Sequence, residues 1–190
     1  MAGRVTRPLR SDAQRNIDAL VEAAKAVFTE SGVEAPVRLI AARAGVGVGT
    51  FYRHFPQRSD LVVAVFEHEI DECADAAAAL ADEHEPDEAL VRWLRRYTEL
   101  IETKQGLAAA LHSGDPAYSA LPTYFDKRLQ PALRSLLENA SAGGKASADI
   151  NPSDLLHAVA KLCLPTDAGP GHADRMVDLL LDGLRYRARS

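Results

Sequence analysis

Gly45-Val-Gly-Val-Gly-Thr-Phe-Tyr-Arg-His-Phe-Pro-Gln-Arg58 carries two conflicting local signals. Gly45, Gly47 and Gly49 each disfavour a helix interior by about 1 kcal/mol relative to Ala. Yet Val48, Phe51, Tyr52 and Phe55 repeat at i, i+3, i+4 and i+7, the spacing of a single helix face. A tight turn followed by a short helix satisfies both signals. Immediately upstream, Val37, Ile40, Ala41 and Ala44 repeat in the same way. Two short helices joined by a glycine-containing turn are the helix-turn-helix plan, which points to sequence-specific DNA binding.

Further towards the N-terminus, Ile17, Leu20, Val21, Ala24, Val27 and Phe28 form one apolar stripe. A helix is expected there from Ser11 or Asp12, either of which can cap it, to Gly32, a favourable residue just past a helix end. Residues 1–11, with Arg4, Arg7 and Arg10 around Pro8, lack periodicity and read as a flexible basic arm. Pro36 suits the first turn of the second helix. Pro56 closes the third, because the residue before a proline is pushed out of the α region. The expected division is a helix-turn-helix domain over 1–57 and a helical body over 58–190.

The charge distribution follows that division. The chain of 190 residues has a net charge of −5, which by itself argues against a phosphate-rich partner. Residues 1–60, however, hold nine basic and six acidic groups, a net +3, and leave −8 on the remainder. A basic N-terminal module on an acidic body fits a DNA-contacting unit joined to one with another task. With 47% hydrophobic and 26% charged residues the composition is that of a globular protein. No apolar run approaches the roughly 20 residues of a membrane span, and the N-terminus lacks the apolar core of a signal peptide. No membrane partner is expected, and the location is read as cytoplasmic. Cys73 and Cys163 sit inside apolar patterns, which favours buried thiols over a disulfide or a metal site.

Beyond the quoted stretch a long fourth helix is expected from Arg58 to Glu83, with Val62, Phe66, Ile70, Cys73, Ala77 and Leu80 on one side. Pro86 opens a fifth, with Asp87 and Glu88 in its first turn and Leu90, Leu94, Tyr97 and Ile101 as its apolar face. It ends at Gly106 and is followed by a short apolar segment, Leu107 to His112. Ala117 to Ala142 reads as helix with irregularities near Pro122 and Pro131, and Ser141 to Ser147 as a loop. Asn151 or Ser153 caps a helix through Leu164, and Pro165 to Gly171 is a loop. The final helix, His172 to Tyr186, carries Met176, Val177, Leu179, Leu180, Leu181 and Leu184, apolar nearly all round. It must be covered on more than one side, within the body or by a second subunit. No stretch has strand alternation, so the fold class is all-α, with about nine helices.

Ile40-Ala-Ala-Arg-Ala-Gly-Val-Gly-Val-Gly-Thr-Phe-Tyr-Arg-His-Phe55 closely resembles the DNA-binding pattern of the tetracycline-repressor (TetR/AcrR-like) family of bacterial regulators. The resemblance extends over about residues 12–66, and the downstream helix order is also similar to the family's. It implies a homodimer formed through the last two helices. It further implies a double-stranded, pseudo-palindromic DNA operator and a body that binds a small-molecule effector, with repression the usual outcome. Carried over by position, it makes Arg38 a candidate base reader and puts Val48, Gly49 and Thr50 at the N-terminal turn of the recognition helix. Tyr52, Arg53 and His54 would contact phosphates or bases, and Arg58 a phosphate. The periodicity agrees for Gly49, Thr50, Arg53 and His54, which lie opposite the apolar stripe. Val48 and Tyr52 lie on the stripe; for Val48 this favours the core, and Tyr52 is divided between a packed ring and a DNA contact. Gly47 stands where the family has a capping Ser.

Phe66, Trp93, Tyr97, Leu111, Tyr124, Phe125 and Cys163, with Tyr118, supply aromatic and soft groups for a pocket in the body, with Trp93 and Tyr97 on one face of the fifth helix as first choice, although residue by residue core packing is the stronger reading for most of them. Few Lys or Arg enter the apolar patterns, so a mainly apolar effector of unknown identity is expected, and no cofactor. An enzyme is the rival class. The histidines are scattered without a ligand or nucleophile motif, and His68 with Glu72 reads as a solvated helix face rather than a metal site. A helical adaptor that has lost DNA binding is a second alternative, opposed by the charge of residues 1–60.

Overall fold

The computed structural model describes residues 7–105, 115–147, 149–163 and 171–187, with side chains for 12–101, 115–147, 149–163 and 171–184. Among them are eight α-helices: α1 (Arg7–Ser31), α2 (Val37–Arg43), α3 (Val48–His54), α4 (Arg58–Glu83), α5 (Pro86–Gln105), α6 (Leu121–Ala142), α7 (Pro152–Leu162) and α8 (His172–Arg187). A 3-10 turn, Pro116–Tyr118, precedes α6. The described residues contain no strand. The expected segment Leu107–His112 and most of the Pro165–Gly171 loop lie outside the described residues.

Contacts divide the chain into two compact units, Met1–His68 with Gly114–Ser119, and Glu69–Ser113 with Ala120–Ser190. The division falls inside α4, after the side chains Leu61, Val62, Val65 and Phe66 that are buried with the first unit. In that unit α1 packs on α2 and α2 on α3. Leu20, Ala24, Ile40 and Phe51 are fully enclosed at its centre. In the second unit α5, α6, α7 and α8 pack on one another, and Ile70, Cys73, Ala74 and Ala77 of α4 join their core.

Several helix limits depart from the sequence reading, each for a local reason. α1 begins at Arg7 rather than at Ser11 or Asp12, so the expected arm is helical from there on. Pro8 then falls in the first turn, where a missing N–H breaks no bond. Pro36 is the residue before α2 rather than its first, with φ −60° and ψ 133°. The irregularity expected at Pro122 becomes the start of α6, while Ala117 and Tyr118 form the separate 3-10 turn. Pro131 lies inside an unbroken α6. The buried ridge Leu129, Leu133, Leu136 and Leu137 holds that helix across the lost hydrogen bond. Asn151, not Ser153, caps α7, its side chain accepting from the N–H groups of Ser153 and Asp154.

α8 is covered on one side only. Val177 and Leu181 are buried, whereas Leu179 is 66% exposed. Among the described residues, the six apolar residues of the sequence pattern are therefore not all covered.

Candidate nucleic-acid interface

The turn between α2 and α3 is built on Gly45. Its φ is +69°, and it follows the last helical residues as the left-handed member of a Schellman closure. The Gly45 N–H donates to the Ala42 carbonyl at 3.2 Å and the Val46 N–H to the Ala41 carbonyl at 3.0 Å, which satisfies the end of α2. α3 then starts from Gly47, whose carbonyl accepts from the N–H groups of Thr50 and Phe51 at 2.9 and 3.1 Å. Gly47 has φ −72° and ψ 149°, the extended geometry of a helix cap, but no side chain to cap with. A Cβ placed there meets nothing within 4 Å. Gly47→Ser should therefore stabilise the protein by a few tenths of a kcal/mol, read as a higher midpoint in thermal unfolding. A lower midpoint would show that the serine is not accepted as a cap.

α3 is fixed in place by two rings. Phe51 is fully buried and Phe55 nearly so, with centroids 5.9 Å apart. The other two members of the apolar stripe are not core. Val48 is 43% exposed and Tyr52 52% exposed, the Tyr52 ring standing edge-on to Phe51 at 5.3 Å. This corrects the assignment of Val48 to the core. In a helix of seven residues the stripe is too short to bury every member, and only Phe51 and the following Phe55 are covered. Gly49 and Arg53 are exposed beside them and Thr50 is half-exposed. Arg38 is exposed in the first turn of α2, next to Leu39 at 47% exposure. Neither Arg38 nor Arg53 pairs with a carboxylate among the described residues. Arg43 does, its Nη1 lying 2.8 Å from both oxygens of Glu30, so its charge is partly answered within the unit.

Two expected contacts are placed differently. Arg58 does not point away as a free phosphate ligand; it is half-buried and donates to the main-chain carbonyls of Val33 and Ala35, closing the α1–α2 turn onto the start of α4. The α4 start is further fixed by the Asp60 carboxylate, which accepts from the Gln57 N–H at 2.8 Å. His54 is partly buried and its Nε2 is enclosed without a hydrogen-bond partner among the described residues, so that nitrogen does not face outward. His68 Nε2 meets Glu22 at 2.6 Å, linking α4 to α1 within this unit.

Tyr118, a position that sequence reasoning assigned to the body, belongs to this unit. Burial raises its phenol pKa, with further raising by Asp115 and Glu34 and an opposing effect of Arg58. No periodicity in the sequence could have revealed this, because a three-residue turn has none.

The aromatic set expected to line a pocket does not come together as one site. Phe66 belongs to the first unit, and Leu111 lies outside the described residues. Trp93 and Tyr97 are fully enclosed and stacked, with centroids 5.9 Å apart and planes within 9°. Trp93 Nε1 donates to the Cys73 carbonyl at 2.8 Å and the Tyr97 hydroxyl to that of Leu156 at 3.1 Å. Burial pushes the Tyr97 phenol pKa far up. Cys163 is buried beside them. Tyr124 and Phe125 are half-buried; the Tyr124 hydroxyl donates to Asp71, which Arg128 also pairs with, joining α6 to α4. An open groove of about 540 Å³ runs instead between α4 and α5, lined by Ala76, Ala79, Leu80, Val91, Arg92 and Arg96 among others. Those residues were missed because alanines on a helix face give no pocket signal in sequence.

Comparison with known proteins agrees with the geometry of both units. Residues 20–65 match the model for bacterial regulatory proteins of the tetR family, and residues 85–186 match that for the C-terminal domain of SbtR-like transcriptional regulators. A crystal structure of a TetR transcriptional regulator from Streptomyces coelicolor is 38% identical, covering 89% of this chain and 98% of that one with a TM-score of 0.73. A TetR transcription regulatory protein from Mycobacterium vanbaalenii is 33% identical, covering 94% and 99%, with a TM-score of 0.71. An HTH-type transcriptional regulator of Staphylococcus aureus is 41% identical over 64 residues, a match that spans 33% of this chain and 35% of that protein. None of the described helices is long and apolar enough to cross a membrane. The chain belongs to the TetR family of bacterial helix-turn-helix transcriptional regulators.

Proposed function

We propose that the protein is a cytoplasmic repressor that binds a pseudo-palindromic operator as a homodimer and releases it when a small, mainly apolar effector occupies the body. The observation that carries the DNA reading is the outward face of α2 and α3. Arg38, Val48, Thr50, Tyr52 and Arg53 leave the core together, on a segment whose net charge is +3. The half-covered α8 supports the dimer, since Leu179 is 66% exposed on a helix whose sequence is apolar nearly all round. In the body, the half-buried Phe125 ring lies 5.9 Å from the enclosed Tyr97 and is the outermost member of the aromatic cluster. The effector releases DNA only by binding the non-operator arrangement more tightly.

Selection from a random duplex library with the full chain tests the reading. The enriched sites should contain two related half-sites about one helical turn, roughly 10 bp, apart. Inserting about 5 bp between them turns one half-site to the opposite face and should lower affinity by about a hundredfold or more, through loss of simultaneous engagement. Affinity indifferent to the spacer would rule out the dimeric reading.

A further inference from the structure

Resting on that reading, we infer that Val48 selects its base by the C5 methyl group of thymine, so that each half-site is read partly by apolar contact rather than by hydrogen bonding. Val48 is the first residue of α3 and is 43% exposed, although a branched apolar side chain gains nothing from water there. It is flanked by Gly47 and Gly49, and a Cβ at either would meet nothing within 4 Å. Neither glycine has a positive φ, so neither backbone position requires glycine. The head of α3 is therefore a smooth surface with one apolar projection. It offers no side-chain donor or acceptor before Thr50.

A partner for this surface must come close to the backbone, carry negative charge nearby to suit the exposed Arg38 and Arg53, and present a small apolar group. The major groove supplies all three. Its floor there displays the thymine methyl, the only apolar substituent among the base edges, and phosphates line its rims. A protein partner would meet the same valine but leaves the two arginines unanswered. Arg38 and Thr50 remain available for polar base edges on either side of the methyl contact.

The test uses the duplex enriched by selection with the full-length chain. Each thymine is replaced in turn by uracil, which pairs identically but lacks the methyl. At one thymine per half-site the swap should weaken binding about fourfold, as expected for one buried methyl, and about fifteenfold when made in both half-sites. Val48→Ala should bind less tightly and lose most of that methyl dependence. Val48→Thr, which keeps one methyl at nearly the same volume, should retain part of it. Thermal unfolding of both variants should match the parent, because the side chain is outside the core. The proposal is overturned if no uracil swap changes affinity, or if Val48→Ala keeps the full methyl effect. Failure of the chain to enrich any duplex would instead overturn the DNA-binding reading, and this inference with it.

Discussion

Raising monovalent salt from about 50 to about 200 mM should weaken operator binding on the order of a thousandfold, the effect of neutralising about six phosphates across the dimer. The reason is the balance of the reading face. Arg38 and Arg53 are exposed without a carboxylate partner among the described residues, whereas the base-reading turn is apolar or without side chains. Affinity then comes mostly from phosphate neutralisation, and discrimination from a few contacts. Arg53→Ala, acting twice in the dimer, should make the log–log salt slope shallower by about two and lower affinity for every sequence alike. Arg38→Ala should instead relax preference at one base pair of each half-site, as for a bidentate guanidinium on guanine. Equilibrium binding at a series of salt concentrations separates the two. An Arg53→Ala variant with the parent slope would remove Arg53 from the phosphate-contacting set.

Trp93→Ala should lower the unfolding free energy by about 3–5 kcal/mol, among the largest losses expected of any single change in this chain. The ring is fully enclosed, stacks on Tyr97 and holds the Cys73 carbonyl through Nε1. The alanine variant leaves a cavity and removes the second donor of the Cys73 carbonyl, which keeps its helical hydrogen bond within α4. Tyr97→Phe keeps the volume and removes only the hydroxyl that reaches Leu156, whose carbonyl keeps its helical partner, so it should lose about 0.5–1.5 kcal/mol. Urea unfolding followed by far-ultraviolet circular dichroism measures both without relying on the tryptophan signal. If the Trp93→Ala variant is destabilised by less than the Tyr97→Phe variant, the ring is not the packed centre of the body.

Most of the fold was readable because its signals are long-range in sequence. α4 runs from Arg58 to Glu83 as the apolar spacing requires, and α5 begins at Pro86 with its acidic first turn. The Gly32 and Gly45 helix ends follow from chemistry that only the left-handed region explains. What escaped were features set by few residues. Val48 obeys the helical repeat, yet a seven-residue helix covers only the part of its stripe that meets neighbours. Pro131 signals a break, but its helix is held by leucines on the opposite side. Trp93 and Tyr97 have the composition of a ligand site and the packing of a core, and composition alone cannot separate the two. Arg58 matched a family contact by position, while its geometry turns the guanidinium inward to two carbonyls.

That inward turn has a mechanical meaning. A planar fork on two carbonyls resists rotation as well as separation. The first turn of α4 and the link between α1 and α2 therefore behave as one rigid piece, with Tyr118 leaning on the same junction beside Glu34 and Arg58. A displacement at the start of α4 would have to break these two hydrogen bonds or carry the end of α1 and the beginning of α2 with it. Arg58 thus ties the turn between α1 and α2 to the start of α4.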